Sequence, residues 1–121
     1  MIGLLLVLSG LMGAAGVALA AASAHMAGAE GLASAADMLL FHAVAVVAVM
    51  AARECGLLHR TLALLAGCGF VLGAALFSGD VALRAFAQLR LFPMAAPTGG
   101  TLLILTWLTV AAAALAGARR N

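Results

Sequence analysis

Residues that could take part in chemistry are few in this chain, and most of them lie close to predicted helix ends. They are His25, Asp37, His42, Ser78, Asp80, Thr98, Gly99 and Gly100. Helices that alternate in direction across a membrane bring the end of helix 1, the start of helix 2, the end of helix 3 and the start of helix 4 to one side. We therefore expect these residues to converge in one polar cluster, which is the candidate ligand-binding site.

His42 is the deepest member of this predicted cluster. It lies five residues beyond Asp37, which places it about 7 Å further along a helix axis. An ionisable side chain at that depth is costly unless it is paired or faces a wet interior. His42 is therefore expected either to be a neutral imidazole that is hydrogen-bonded inside a bundle or to handle a proton or a ligand.

The other members have structural interpretations beside the functional ones. His25 could cap the last carbonyl groups of helix 1, and Asp80 could pair with Arg84 or with His25. Ser78 is expected at a helix end or at a close helix contact. The 98–100 segment could present free backbone N–H groups that bind an anion, or form a turn in which the Thr98 side chain caps helix 4.

Neither a metal site nor a catalytic triad follows from these residues. Two histidines and an aspartate suit Zn²⁺ or Fe²⁺, but no pair has the spacing of an H-x-x-x-H motif. A triad of Ser78, His42 and Asp80 would need all three groups within reach of one another, and nothing in the sequence positions them so. We predict no catalytic activity, no metal and no cofactor.

The composition indicates that lipid surrounds most of the chain. Hydrophobic residues make up 67% of its 121 residues and charged residues 8%, with a mean hydropathy of +1.26, whereas about a quarter of an ordinary soluble domain is charged. The net charge of +2 comes from six arginines and four acidic residues, which is too few cations for a nucleic-acid-binding surface. Four spans of about 20 residues each leave no room for a second domain.

The hydrophobic pattern predicts an all-α fold, a compact bundle of four transmembrane helices in a single integral membrane domain over residues 1–121. The predicted spans are 2–23, 36–53, 61–80 and 99–118, with a short amphipathic extension over 81–91. Ser34 and Asp37 resemble a capping box that would start helix 2 near Ala35. Pro93, Pro97 and the following glycine pair predict a loop before helix 4.

The first 24 residues carry no charged side chain and admit two interpretations. Ala22-Ser23-Ala24 fits the cleavage pattern of a signal peptide. However, no lysine or arginine precedes the apolar run, and the run is longer than the 7–15 residues typical of such peptides. We expect this segment to be retained as the first transmembrane helix.

The arginines predict the orientation of the bundle. With four spans, four arginines fall on one side of the membrane and two on the other. The four are Arg53, Arg60, Arg119 and Arg120, and the two are Arg84 and Arg90. Because cytoplasmic loops carry an excess of arginine and lysine, both termini are expected in the cytoplasm.

Small residues recur at the spacing that lets helices approach closely in lipid. Ala14 and Ala18 mark such a face on helix 1, and Gly69 and Gly73 mark one on helix 3. These faces could hold the bundle together or associate with another protein chain. The two cysteines, Cys55 and Cys68, have no metal-ligand spacing, and we expect unpaired thiols.

Four separated motifs follow one another along the chain. Residues 20–25 read A-A-A-S-A-H, residues 38–42 end in a histidine, residues 76–79 read L-F-S-G, and residues 96–100 read A-P-T-G-G before Thr106-Trp107. These motifs resemble G-A-F-G-A-H, Y-Q-x-x-H, L-F-S-G, T-P-x-G-G and G-W of the YgdD-like small inner-membrane proteins, a family of unknown function.

The resemblance covers nearly the whole chain and implies a multi-pass protein of the bacterial inner membrane with four helices. Three features of the family pattern are missing: the Tyr-Gln pair before His42, the serine at position 80, which is Asp80 here, and the tyrosine two positions later. Any polar network therefore differs in this chain. The resemblance implies no activity.

Three functions fit these observations. The first is a structural or accessory membrane component that associates with itself or with a larger membrane complex. The second is a small transporter or channel that uses the His/Asp cluster on the periplasmic side. The third is a lipid- or quinone-binding module at the same cluster.

Overall fold

The structure, a computed structural model, describes residues 1–27 and 30–119. Every regular element in these residues is a helix: α1 (Ile2–His25), α2 (Glu30–Glu54), α3 (Arg60–Ala87) and α4 (Ala95–Ala118). Each is long and apolar enough to cross a membrane, since 24 residues extend about 36 Å against a hydrocarbon thickness of about 30 Å. The predicted all-α bundle of four transmembrane helices is confirmed.

Helices α2 and α3 form the centre of the bundle, and α1 and α4 lie outside them. Consecutive helices pack against one another along the chain, and α1 also reaches α3. In an 18-residue apolar segment of α2, half of the residues are buried, compared with 22% of the corresponding segments of α1 and α4. The two outer helices therefore present most of their surface to the surroundings, which for a membrane protein means lipid or another protein. The largest buried apolar side chains are Leu32, Val46, Met50 and Phe70.

The contact between α1 and α2 uses a different face of α1 from the one predicted. The buried residues of α1 follow helical spacing and are Leu5, Ser9, Met12 and Gly16. The Ser9 hydroxyl donates to the Ala43 carbonyl at 2.8 Å. A Cβ atom at position 16 would lie 3.2 Å from the Ala36 carbonyl oxygen, so glycine allows the two helices to approach closely.

Ala14 and Ala18, which were predicted as packing residues, are both exposed. They lie on the side of α1 that faces away from the bundle, because the residues that contact α2 occupy the opposite side of the helix. Their small-residue spacing therefore contributes nothing to packing within this chain. An association with another chain is the interpretation that still applies to them.

The contact between α3 and α4 is made by glycines. A Cβ atom at Gly73 would lie 2.8 Å from Leu103 Cγ, and one at Gly69 would overlap the Thr106 side chain. On the opposite helix, a Cβ atom at Gly99 would lie 2.6 Å from the Phe77 backbone nitrogen. These glycines bring the two backbones together, an approach that strengthens dispersion contacts between helices in lipid.

The start of α2 differs from the prediction. The helix begins at Glu30, so Ser34 and Asp37 lie inside it and form no capping box. The early start buries Leu32 and Ala35 completely. Tertiary packing of an apolar face contributes more to helix stability than capping does, which explains why the capping pattern was misleading.

The start of α4 also differs from the prediction, since the helix begins at Ala95 rather than at 99. Pro97 lies in its first turn, where backbone N–H groups have no partner inside the helix and proline is tolerated. Ala95 is fully buried and Ala96 nearly so. The predicted loop is therefore shorter, and Gly99 and Gly100 are helical.

The predicted extension over 81–91 is only partly helical. Helix α3 continues without interruption to Ala87, and Gln88 ends it in the left-handed conformation with φ 56°. Met94 has φ 69° at the start of α4. Residues 88–94 thus form a short connection between two left-handed residues.

Candidate functional site

The predicted polar cluster does not form one site. Ser78 and Asp80 are buried near the end of α3, His42 is buried in the middle of the bundle, and Asp37 is exposed on α2. His25 is exposed at the end of α1, and Thr98 is exposed on α4. Each group has its own surroundings and requires its own interpretation.

Asp80 ties the α3–α4 connection to α3. Its carboxylate is fully buried and pairs with the Arg84 guanidinium one turn later. The other carboxylate oxygen accepts a hydrogen bond from the Leu91 backbone N–H at 3.0 Å. A buried charge needs such partners to offset its lost hydration, so Asp80 serves to hold the connection in place. Of its two predicted partners, Arg84 and His25, Arg84 is the one that pairs with Asp80.

Ser78 joins α3 to α2. Its hydroxyl donates to the Ala35 carbonyl at 2.8 Å, a contact between two central helices. A hydroxyl whose proton is bound to a backbone carbonyl is not hydrogen-bonded to a base, as a nucleophile would be. The structure therefore does not bring Ser78, His42 and Asp80 together as a triad.

His42 makes two contacts that determine its protonation pattern. Nδ1 lies 2.7 Å from the Met38 carbonyl oxygen, and the Trp107 indole N–H points to Nε2 at 3.4 Å. A carbonyl oxygen only accepts and an indole N–H only donates. The proton is therefore on Nδ1, and Nε2 accepts, which is the pattern of a neutral imidazole inside a bundle.

An aromatic cluster surrounds His42 near the middle of α2 and α4. The Phe70 ring lies 5.3 Å from the His42 ring and 4.8 Å from the Trp107 ring, centroid to centroid. The sequence analysis did not predict this cluster, because the pattern along one helix does not tell which side chains of different helices meet. The signal was present, since both His42 and Trp107 lie at the centre of long apolar segments.

The 98–100 segment does not bind an anion in the predicted way. Because α4 begins earlier, the Thr98 N–H already donates to the Met94 carbonyl at 2.9 Å. Gly99 is buried against α3, and a Cβ atom at Gly100 would meet open space. The segment is a helix contact on one side and lipid-facing surface on the other, and Thr98 caps nothing.

Asp37 lies in a groove on the outside of the bundle, beside Trp107. The groove has a volume of about 570 Å³, and apolar side chains form most of its lining. The apolar lining residues are Leu40, Phe41, Val44, Ala45, Ala48 and Trp107. Within residues 1–27 and 30–119, no hydrogen bond or ion pair engages the Asp37 carboxylate. An unpaired carboxylate on a membrane-spanning helix is costly, and such residues often mark functional sites.

A second cavity lies at the opposite end of the bundle, and we name it the Arg53 cavity. It has a volume of about 460 Å³, and its lining is Arg53, Glu54, Gly56, Leu58, His59, Arg60 and Gly117. The α2–α3 connection and the end of α4 form it together. The sequence analysis used Arg53 and Arg60 only to predict the orientation, although two arginines and a histidine within eight residues were a detectable signal.

Within the described residues, no three His, Cys, Asp or Glu side chains are grouped as they would be around a metal ion. Cys55 is exposed and Cys68 is half-buried, and both are free thiols.

Comparison with known proteins gives one match. The model of a family described as "Protein of unknown function (DUF423)" matches residues 9–100, a segment that extends from α1 into α4 and includes every residue of the predicted polar cluster. The expectation of a family of unknown function is thereby confirmed. No curated protein and no solved structure matches the chain.

Proposed function

This chain belongs to the DUF423 family, whose function is unknown, and we propose from its own residues that it is a non-catalytic accessory component of a membrane. In this proposal, the outer face of α1 associates in lipid with another membrane helix, either in a second copy of the chain or in a larger complex. The observation that carries the proposal is the exposure of Ala14 and Ala18 on an outer helix.

The interior of the bundle supports a structural role. Each of the five buried polar residues among those described makes a hydrogen bond within the chain. These residues are Ser9, His42, Ser78, Asp80 and Thr106. A transport pathway needs polar groups that are free to exchange partners with a solute, and these groups are already engaged.

The outer surface of α1 supports association. Gly10, Ala14 and Ala18 follow one another at intervals of four residues and are exposed, and a Cβ atom at Gly10 would meet nothing within 4 Å. Small residues in this pattern let a second backbone approach closely, which is how helices gain dispersion energy in a solvent as apolar as they are.

The proposed location is the bacterial inner membrane, with both termini in the cytoplasm. Arg53, Arg60 and Arg119 lie at one end of the bundle, and Arg84 and Arg90 lie at the other. Arg120, which also entered the sequence prediction, lies outside the described residues. Arg53 pairs with Glu54 and Arg84 pairs with Asp80. Among the described arginines, Arg60 and Arg119 therefore remain as uncompensated charges at the first end and Arg90 at the second, and a cytoplasmic position for the end that carries Arg53 follows the usual arginine bias.

A photo-crosslinking experiment tests the association. A diazirine-bearing amino acid replaces Val17, which is 62% exposed beside the small residues of α1, or Leu108, which is 63% exposed on α4. In intact membranes, position 17 is expected to give a protein adduct, and position 108 to give mainly lipid adducts. The mass of the adduct tells whether the partner is a second copy or another protein.

The matched variant is Ala14→Leu with Ala18→Leu, which adds bulk on a surface with no contact inside the chain. We expect it to reduce the adduct at position 17 by tenfold or more while the protein remains folded. Lipid adducts at both positions in the wild type, or an adduct that the leucines leave unchanged, would contradict the proposal.

The groove beside Asp37 favours a second candidate, a binding site for an amphiphile with a hydrogen-bond-donating head. An ionised carboxylate only accepts hydrogen bonds, so a quinol, which carries hydroxyl groups, fits better than a quinone. The Trp107 ring and the apolar wall would contact the rest of the molecule, as in most small-molecule sites.

Trp107 is the single tryptophan of the chain, so its fluorescence reports on the groove. A short-chain benzoquinol is expected to quench it with saturation, and Asp37→Leu should weaken binding by about tenfold, the effect of about 1.4 kcal/mol. Asp37→Asn, which keeps one acceptor oxygen, should weaken binding less. Quenching that rises linearly without saturation, or that is equal in all three proteins, would remove this candidate.

A further inference from the structure

The Arg53 cavity is an unassigned feature at the end of the bundle opposite Asp80. It opens between the α2–α3 connection and the last turns of α4. Its lining includes two arginines, one histidine and one glutamate. The connection also packs on α4, because the His59 backbone N–H donates to the Ala113 carbonyl at 2.9 Å.

Arg53 is fixed in the wall of this cavity. Its side chain is 10% exposed, its Nε donates to the Arg60 carbonyl at 3.1 Å, and its Nη1 pairs with Glu54. Nη2 makes no hydrogen bond within the described residues. A guanidinium held in this way offers a donor in a set position, which is how arginine recognises phosphate groups.

His59 provides a second unsatisfied group. Its Nδ1 is buried and has no hydrogen-bond partner within the described part of the chain. Buried polar atoms nearly always have a partner, so an unpaired one calls for an explanation. In addition, His59 precedes the first residue of α3, and no side chain caps that helix, so the positive end of the helix dipole is uncompensated there.

The charge of the lining also favours an anion. The lining carries two cations, Arg53 and Arg60, and one anion, Glu54. The Glu54 side chain is 55% exposed and already pairs with Arg53. Arg60 is exposed at the first position of α3 and is free to turn toward a ligand. The cavity lies where the candidate spans of α2 and α4 end and that of α3 begins, and the ends of membrane spans are the level at which phosphate groups of lipids lie.

We propose that the Arg53 cavity binds a phosphate group, with Arg53 and Arg60 as charged donors and His59 as a further hydrogen-bonding group. Two sources share this chemistry, the headgroup of an anionic phospholipid and free inorganic phosphate. The site is independent of the outer face of α1 and does not rest on the proposed association.

The experiment uses the full chain in neutral phosphatidylcholine nanodiscs. Phosphatidylglycerol is added as a competitor lipid, and native mass spectrometry measures how often one molecule stays bound. In a separate arm, inorganic phosphate is titrated and the ³¹P linewidth is followed. Retention of phosphatidylglycerol over phosphatidylcholine identifies a headgroup site, and broadening with inorganic phosphate identifies a site for the free anion.

Arg60→Gln is the test variant because its exposed side chain makes no described contact that the fold needs. Arg119→Gln is the control, since Arg119 lies at the same end of the bundle but not in the cavity lining. We expect Arg60→Gln to weaken binding of the preferred probe at least tenfold and Arg119→Gln to leave it unchanged. Equal losses in both variants, or no preference for either probe in the wild type, would overturn the proposal.

Discussion

Replacement of Gly99 by alanine is expected to destabilise the bundle by about 3 kcal/mol, the upper part of the range for overpacked cores. The new methyl group would lie 2.6 Å from the Phe77 backbone nitrogen and 2.7 Å from the Gly73 carbonyl oxygen. Both neighbours are backbone atoms of α3, and they cannot move aside as the end of a flexible side chain could. Helices α3 and α4 must therefore separate, and the contacts along their whole interface weaken.

Gly100→Ala is the matched control, because a Cβ atom there meets open space. Replacement of glycine by alanine changes the helix propensity equally at both positions, so the difference in stability between the two variants isolates the steric effect. We expect the free energy of unfolding of Gly100→Ala to stay within about 1 kcal/mol of the wild type. Unfolding in mixed micelles measures both variants, and equal stabilities would show that the α3–α4 contact is looser than described.

The second large effect is expected at the Asp80–Arg84 pair. Arg84→Ala leaves a fully buried carboxylate without its cation and should cost about 3 kcal/mol. This is the lower end of the range for breaking a buried pair, because the Arg84 side chain is 41% exposed and water screens part of the attraction.

The double variant Asp80→Ala with Arg84→Ala should be more stable than Arg84→Ala alone. It removes the uncompensated charge, and the Leu91 N–H, which loses its acceptor, costs about 1 kcal/mol. Unfolding titrations of both variants show which of the two is more stable. Limited proteolysis within 88–94 shows whether the connection between α3 and α4 is still held in place. A double variant less stable than Arg84→Ala would show that the carboxylate acts mainly through Leu91.

Composition and hydrophobic runs were sufficient to predict the number of helices and their class. The 67% hydrophobic content and the placement of ten charged residues leave few alternatives to four spans. The arginine four residues after Asp80 indicated its partner correctly, because i and i+4 side chains lie on the same face of a helix.

The parts that sequence reasoning missed depend on burial. Leu32 and Ala95 are fully buried, and this burial extends α2 and α4 past the signals that predicted later starts. Small-residue spacing was equally clear at Ala14 and at Gly69, yet Gly69 packs inside the chain and Ala14 faces outward. A pattern gives the spacing of a face, but the rotation of the helix decides what the face contacts.

The rotation of each helix about its axis also explains why the predicted polar cluster does not form one site. The membrane topology correctly placed His25, Asp37, Ser78 and Asp80 toward the same end of the bundle. Whether two side chains on neighbouring helices meet depends on rotations that no single motif encodes. Ser78 and Asp80 point inward, whereas Asp37 points into an outer groove.

Native mass spectrometry of the chain released from its own membrane tests the central claim, lateral association through α1, most directly. The wild type is expected to appear as a complex heavier than the 12.0 kDa protomer by at least one protein chain. The variant with leucine in place of Ala14 and Ala18 is expected as the protomer. A wild type that appears only as the protomer, or a complex that survives both leucines, would contradict the account.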